Sequence, residues 1–129
     1  VKAMESGKYD FLRCNFPNGD MVGHTGNIEA VVKAMEYVDE GVGRIIEAGK
    51  RLGYVVLVTA DHGNADKMYD PDPEHPFTAH TTNPVPFLVA GVENAKLREG
   101  GVLADIAPTM LKIMGLPQPE EMTGKSILE

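Results

Sequence analysis

The sequence has few of the residues that stabilise secreted proteins or bind polyanions. Its 129 residues include one cysteine, Cys14, so no disulfide can form within the chain. A reducing compartment, the cytoplasm, is therefore the expected location. Lysine and arginine number 12 against 19 acidic residues, which gives a net charge of −7. Because nucleic acids and anionic membranes bind clustered basic residues, the sequence predicts neither as a partner.

Long apolar runs are also missing. No stretch approaches the ~20 apolar residues that a membrane helix needs, and no basic-then-apolar leader opens the chain. Residue 1 is valine rather than methionine, and the opening VKAMESG is typical of the last turns of a helix that ends at Gly7. These features predict a piece of a longer protein, although the length fits one domain and the 43% hydrophobic content is enough for a core.

Candidate nucleophiles are scarce. The chain has only two serines, one at the predicted helix end and one in the tail. Gly124–Ser126 matches the end of a phosphate loop, but Pro119 stands where that motif requires glycine. A hydroxyl at a helix start is the simpler interpretation of Thr25, and Cys14 is expected to be a buried thiol. The arginines are scattered, so the sequence predicts no catalytic and no substrate-binding residue within this chain.

Hydrophobic periodicity predicts an α/β fold. Tyr54–Val58 is a short β-branched run, typical of a strand buried on both faces in a mostly parallel sheet. A long amphipathic helix begins near Asn27, a good N-cap residue, and ends near Gly53. Prolines predict an irregular or edge position for the last strand. The predicted strands are Lys8–Phe16, Tyr54–Val58 and Val85–Ala90, the predicted helices are Asn27–Gly53 and Asp105–Met114, and the tail, Gln118–Glu129, is predicted to be irregular.

Acidic and imidazole side chains lie in the loops that follow the predicted strands. Asp20 and His24 are four residues apart, so even one helical turn would point both the same way. Asp61 and His62 lie where the central strand stops, and His80 lies in the long loop beyond it. Mixed carboxylate and imidazole ligands suit Zn²⁺, Mn²⁺, Co²⁺ or Fe²⁺ better than Ca²⁺. For each residue taken alone the alternative is an ordinary loop residue, which is our interpretation of His75.

Five motifs resemble the cofactor-independent phosphoglycerate mutase family of the alkaline phosphatase-like superfamily. The resemblance covers essentially the whole chain and keeps the order of the motifs. Any one motif is shared with relatives such as phosphopentomutases, whereas the set of five resembles the mutases. The motifs are NGDMVGHTGN (Asn18–Asn27), TADHGNAD (Thr59–Asp66), HTTNPVP (His80–Pro86), LADIAPTML (Leu103–Leu111) and MTGKS (Met122–Ser126).

The resemblance implies a fold and a ligand set. The fold is part of an alkaline phosphatase-like α/β/α sandwich, with residues 1–129 as the carboxy-terminal part of the metal-binding phosphatase domain. Asp20, His24 and His80 match the ligands of one divalent ion, and Asp61 and His62 match two ligands of a second. Manganese is the expected metal, with zinc, cobalt or magnesium as alternatives. The nucleophilic serine and the inserted domain that holds the substrate lie outside this chain.

The implied activity is that of an isomerase in glycolysis and gluconeogenesis. The longer protein would interconvert 3-phosphoglycerate and 2-phosphoglycerate through a phosphoserine, and it would act as a monomer. This chain would supply metal ligands and be inactive alone. Two alternatives stay open at this point. The chain could belong to another phosphatase or phosphomutase of the same superfamily, or it could be a non-catalytic metal-binding module.

Overall fold

The computed structural model describes residues 1–70 and 75–129. The chain divides into two compact units, Val1–Gly91 and Val92–Glu129. The elements of the first unit are α1 (Lys2–Glu5), α2 (Asn18–Gly23), α3 (Ile28–Leu52), β1 (Val56–Thr59) and β2 (Phe87–Ala90). The second unit contains a 3₁₀ turn, Leu103–Asp105, followed directly by α4 (Ile106–Met114).

Helix α3 has the bounds that its sequence predicts. The side chain of Asn27 accepts a hydrogen bond of 3.0 Å from the backbone N–H of Ala30 and so caps the first turn. The helix ends at Gly53, whose φ of 76° lies in the left-handed region that glycine adopts without strain. Val31, Ala34, Ala48 and Gly49 are its buried residues, so the amphipathic pattern and the two end signals are confirmed together.

The glycines inside α3 have different roles. A Cβ at Gly41 would lie 2.6 Å from the ring of Phe16, so the glycine allows that ring to approach the helix. Gly49 is buried against β1, because a Cβ there would lie 2.6 Å from a methyl group of Val56. Around Gly43, by contrast, nothing lies within 4 Å of the position that a Cβ would take.

Replacing Gly43 by alanine is therefore expected to stabilise the protein by about 0.5–1 kcal/mol, since alanine costs less conformational entropy in a helix interior. The matched substitution Gly49→Ala is expected to destabilise it by about 1–3 kcal/mol, because the new methyl overpacks the contact with Val56. Urea unfolding of both variants measures the two effects. Equal changes in the free energy of unfolding would contradict the packing difference.

The sheet in the described residues consists of β1 and β2, which pair antiparallel with Val56 opposite Ala90 and Thr59 opposite Phe87. The prediction that the central strand is buried on both faces is wrong, since Val56–Val58 are half-buried and Thr59 is exposed. Antiparallel pairs also occur within mostly parallel sheets. Strand β2 begins directly after Pro86, as the proline predicts.

The predicted strand at Lys8–Phe16 is wrong. These residues form no strand, and Phe11, Leu12 and Phe16 are exposed. The alternation of apolar residues is present in the sequence, but an extended segment becomes a strand only when its backbone groups pair with a neighbour. No such partner lies among residues 1–70 and 75–129. The expectation of a buried Cys14 fails for the same reason, because its side chain is exposed.

The second unit has the predicted helix at its centre. Helix α4 follows Asp105, buries Pro108 and Thr109, and ends at Gly115 with a left-handed φ of 68°. The tail is irregular apart from one bridge that joins Leu128 to Leu97. Across the described part of the chain, no helix has both the length and the apolar character needed to cross a membrane.

Candidate metal centre

Helix α2 presents the first two candidate ligands. Asp20 lies within this short helix and His24 is its C-cap, so the predicted loop is instead one and a half turns of helix. The spacing of four residues brings Oδ1 of Asp20 to 3.2 Å from Nε2 of His24. Nδ1 of His24 lies 2.6 Å from the backbone carbonyl of Thr78. Because a carbonyl can only accept, Nδ1 carries the proton and Nε2 presents its lone pair to the site.

The end of β1 brings in the second pair. Nε2 of His62 lies 4.0 Å from Oδ1 of Asp20 and 3.7 Å from Oδ1 of Asp61. His62 is partly buried, whereas the side chain of Asp61 is 86% exposed. Asp61 therefore lies at the solvent-exposed rim of the group, close to His62.

His80 completes the group from the long loop beyond β1. Its Nε2 lies 3.0 Å from Oδ1 of Asp20 and 3.2 Å from Nε2 of His24. The His80 ring stacks on His62, with centroids 3.7 Å apart and planes tilted by 19°. The loop is folded back on itself, because the backbone N–H of Thr81 donates to the carbonyl of Gly63 at 2.8 Å.

Asn64 also belongs to the site, although its role was not foreseen from the sequence. It is 5% exposed, and its amide donates to Oδ1 of Asp20 at 2.9 Å and lies 3.4 Å from Nε2 of His24. A Cβ at Gly23 would collide with Oδ1 of Asn64, so the glycine leaves room for the buried amide. The only available signal was the position of Asn64, two residues after His62 in a polar motif.

The electrostatics keep Asp20 ionised. Burial opposes its charge, but the hydrogen bond from Asn64 and the electrostatic attraction of the neighbouring His24, His80 and His62 imidazoles outweigh that cost. The pKa of Asp20 consequently lies below its ordinary value. A carboxylate that stays charged can bind a cation over the whole neutral range.

The donor set fits a divalent metal ion. One atom each from Asp20, His62 and His80 lie within 4.8 Å of one another, and Nε2 of His24 adjoins two of them. One carboxylate oxygen with several imidazole nitrogens is the chemistry that Mn²⁺, Co²⁺ and Zn²⁺ accept. The structure thus brings four of the five predicted ligands together and leaves Asp61 at their rim. The division of the five between two ions stays a prediction.

His75 lies outside this group. It is exposed, and its carbonyl accepts a hydrogen bond of 3.4 Å from the N–H of Asp70. Asp72 and Glu74, which the sequence places beside His75, lie outside the described residues.

Comparison with known proteins gives three kinds of match. The profile of the metalloenzyme superfamily matches residues 1–118. The 2,3-bisphosphoglycerate-independent phosphoglycerate mutase of Pseudomonas fluorescens strain Pf0-1 is 56% identical over 128 residues, 99% of this chain. The mutases of Ectopseudomonas mendocina and Salmonella choleraesuis are 57% and 54% identical over 100% and 98% of the chain. The chain spans 25% of the length of each of these relatives.

A solved structure matches over nearly the whole chain. It is a crystal structure of the phosphoglycerate mutase of Leishmania mexicana at low cobalt concentration, with a TM-score of 0.89 and 35% identity. The match covers 99% of this chain and 26% of the Leishmania chain. This agreement confirms the predicted α/β fold class of alkaline phosphatase-like type.

Proposed function

This chain belongs to the metalloenzyme superfamily, and from that membership we propose that it is the carboxy-terminal, metal-binding part of a 2,3-bisphosphoglycerate-independent phosphoglycerate mutase. The observation that carries the proposal is the convergence of Asp20, His24, His62 and His80, from three separate segments, on one small volume. These residues lie within the motifs on which the resemblance to the mutases depends, and relatives more than 50% identical bear that name.

The proposed reaction is the interconversion of 3-phosphoglycerate and 2-phosphoglycerate through a phosphoserine formed outside this chain. We assign Asp20, His24 and His80 to one divalent ion and Asp61 and His62 to a second. Two such ions, when bound, would stabilise the charges on the attacking and leaving oxygens of an in-line phosphoryl transfer.

The residues of this chain have defined tasks in that scheme. Asp20 holds its negative charge because Asn64 donates to it. His24 keeps its Nε2 lone pair free because Nδ1–H is held by the carbonyl of Thr78. Asp61, at the exposed rim, is accessible to solvent and would be open to further ligands of its ion.

We propose manganese as the metal, a cytoplasmic location and a monomeric protein. Oxygen and imidazole donors support manganese and equally accept cobalt, the metal named for the Leishmania structure. The single cysteine, which is exposed, supports a reducing compartment. The net charge of −7 supports a small-molecule substrate rather than nucleic acid or an anionic membrane.

The isolated chain is expected to bind one Mn²⁺ tightly and a second weakly or not at all. Asp20, His24 and His80 offer three donors to one ion, whereas Asp61 and His62 offer only two to the other. Isothermal calorimetry with Mn²⁺ counts the sites. Two tight sites on the 129-residue chain would contradict the assignment, and the same preparation should not interconvert phosphoglycerates.

The activity itself is tested on the protein encoded by the complete reading frame. With Mn²⁺ and without 2,3-bisphosphoglycerate it should convert 3-phosphoglycerate to 2-phosphoglycerate, and Asp20→Asn should remove the activity. A complete protein that hydrolyses or rearranges other phosphate esters and leaves phosphoglycerate unchanged would favour the alternative of a different superfamily phosphatase or phosphomutase.

A further inference from the structure

The carboxylate of Asp66 is the centre of a hydrogen-bond cluster that the proposed metal chemistry does not use. It accepts from the hydroxyl of Thr81 at 3.0 Å and from the side-chain amide of Asn83 at 2.6 Å. Asp66 lies four residues after His62, and Thr81 directly follows His80. The cluster therefore joins the segments that carry two candidate ligands.

A backbone hydrogen bond reinforces the same junction. The N–H of Thr81 donates to the carbonyl of Gly63, the residue after His62. A Cβ at Gly63 would collide with the hydroxyl of Thr81 and would lie 2.5 Å from Oδ1 of Asp66, so the three residues are packed without spare space. The segments after His62 and after His80 are thus tied by both backbone and side-chain contacts.

The hydrogen bonds keep Asp66 in its charged, accepting form. The hydrogen bond from Asn83 is the largest influence and, with that from Thr81, it outweighs burial and lowers the pKa of Asp66. Thr81 and Asn83 donate to the carboxylate oxygens of Asp66, so these oxygens are already engaged and are not available to bind a metal ion. Asp66 is also not part of the group formed by Asp20, His62 and His80.

We propose that Asp66 is a positioning residue for the metal centre: by holding Thr81 and Asn83 it keeps the His80 ring stacked on His62, with both Nε2 atoms directed at Asp20. The inference rests on the proposed metal-binding role of these histidines. Groups that orient metal ligands from behind alter metal affinity without touching the ion. Because the Asp66 side chain is exposed, its contribution to the fold itself is small.

The test replaces Asp66 by asparagine, which keeps the size of the side chain and removes the charged acceptor. Mn²⁺ affinity measured by calorimetry is expected to fall by roughly 10- to 100-fold, the range for such orienting groups. The visible absorption of bound Co²⁺ is expected to change, because the histidine donors no longer hold one geometry. The melting temperature of the metal-free protein should stay within about 2 °C of the wild-type value, as for ordinary surface substitutions.

Two further variants separate positioning from general damage. Asp66→Glu retains a carboxylate acceptor and should recover most of the Mn²⁺ affinity and the Co²⁺ spectrum, whereas Asp66→Ala should not. Asp70→Asn is the matched control, since Asp70 pairs with Lys67 at 3.4 Å on the same loop, whereas Thr81 and Asn83 donate to Asp66. It should leave both readouts unchanged.

Different results would contradict the positioning role of Asp66 and the proposed metal-binding function. Wild-type affinity in Asp66→Asn, or an affinity loss matched by a large fall in the melting temperature of the metal-free protein, would overturn the positioning role alone. A wild-type protein that binds neither Mn²⁺ nor Co²⁺ would overturn the proposed function and this inference with it.

Discussion

Replacing His80 by alanine is expected to abolish tight Mn²⁺ binding, with a loss of affinity of roughly 100-fold or more, beyond what loss of an orienting group causes. Nε2 of His80 lies 3.0 Å from Oδ1 of Asp20, closer than Nε2 of His24 at 3.2 Å or of His62 at 4.0 Å. It also contacts the other two imidazoles, at 3.2 Å from Nε2 of His24 and by stacking on His62. Its removal takes away one donor and the ring that fixes another.

The matched control for this substitution is His75→Ala. His75 lies in the same long loop, is exposed, and is not part of the group that Asp20, His62 and His80 form. Calorimetry should find one tight Mn²⁺ site in His75→Ala and none in His80→Ala. Retention of the tight site in His80→Ala would mean that the ion binds elsewhere, and the ligand assignment would then be wrong.

The parts of the fold that follow from local sequence were predictable. The bounds of α3 depend on Asn27, which caps its own first turn, and on Gly53, which adopts a left-handed conformation. The end of α4 similarly depends on Gly115, which is left-handed, whereas the side chain of Asp105 at the start of α4 makes no capping hydrogen bond. Such signals act within a few residues, so a sequence without any partner still specifies them.

The strands were less predictable because pairing is not local. Lys8–Phe16 has the alternation of a strand and forms none, and the half-buried β1 shows an apolar run without full burial. In both cases the outcome depends on which neighbour the backbone meets. The candidate ligands could be identified from the sequence because they follow strand-like segments. The distances between their side chains could not be predicted from it.

The groups that hold the candidate ligands in place also could not be predicted, because they contact those ligands from distant parts of the chain. Asn64 reaches Asp20 across 44 positions, and the carbonyl of Thr78 reaches His24 across 54. A backbone carbonyl has no sequence signature, and a single asparagine has little. The junction at Asp66 depends on the return of the His80 loop, which became visible only in the structure.

Two of the five motifs are linked by hydrogen bonds in the second unit. The buried carboxylate of Asp105 accepts from the N–H of Lys125 at 2.8 Å, from the N–H of Val102 at 2.9 Å, and from the guanidinium of Arg98 at 2.5 Å. Nearby, the N–H of Ile127 donates to the hydroxyl of Thr109 at 2.8 Å. The motifs at residues 103–111 and 122–126 are therefore joined to each other within this unit.

Asp105→Asn is expected to give the largest loss of stability of any single polar substitution in Val92–Glu129, lowering the melting temperature by about 10 °C. The backbone hydrogen bond from Lys125, followed by those from Val102 and Arg98, outweighs burial and lowers the pKa of Asp105 to about 2. An amide cannot accept from all three donors and carries no charge for the guanidinium of Arg98.

The lowered pKa of Asp105 sets how its contribution to the free energy of unfolding depends on pH. Because the folded pKa lies below that of an unfolded aspartate, the stabilisation by Asp105 is fully present above about pH 4 and is lost as the pH falls through about 2. Urea unfolding of the wild type and of Asp105→Asn should therefore differ most at neutral pH and converge toward pH 2. Glu120→Gln, an exposed substitution in the same unit, should follow the wild type throughout. A difference between wild type and Asp105→Asn that stays constant down to pH 2 would show that the charge of Asp105 does not stabilise the fold.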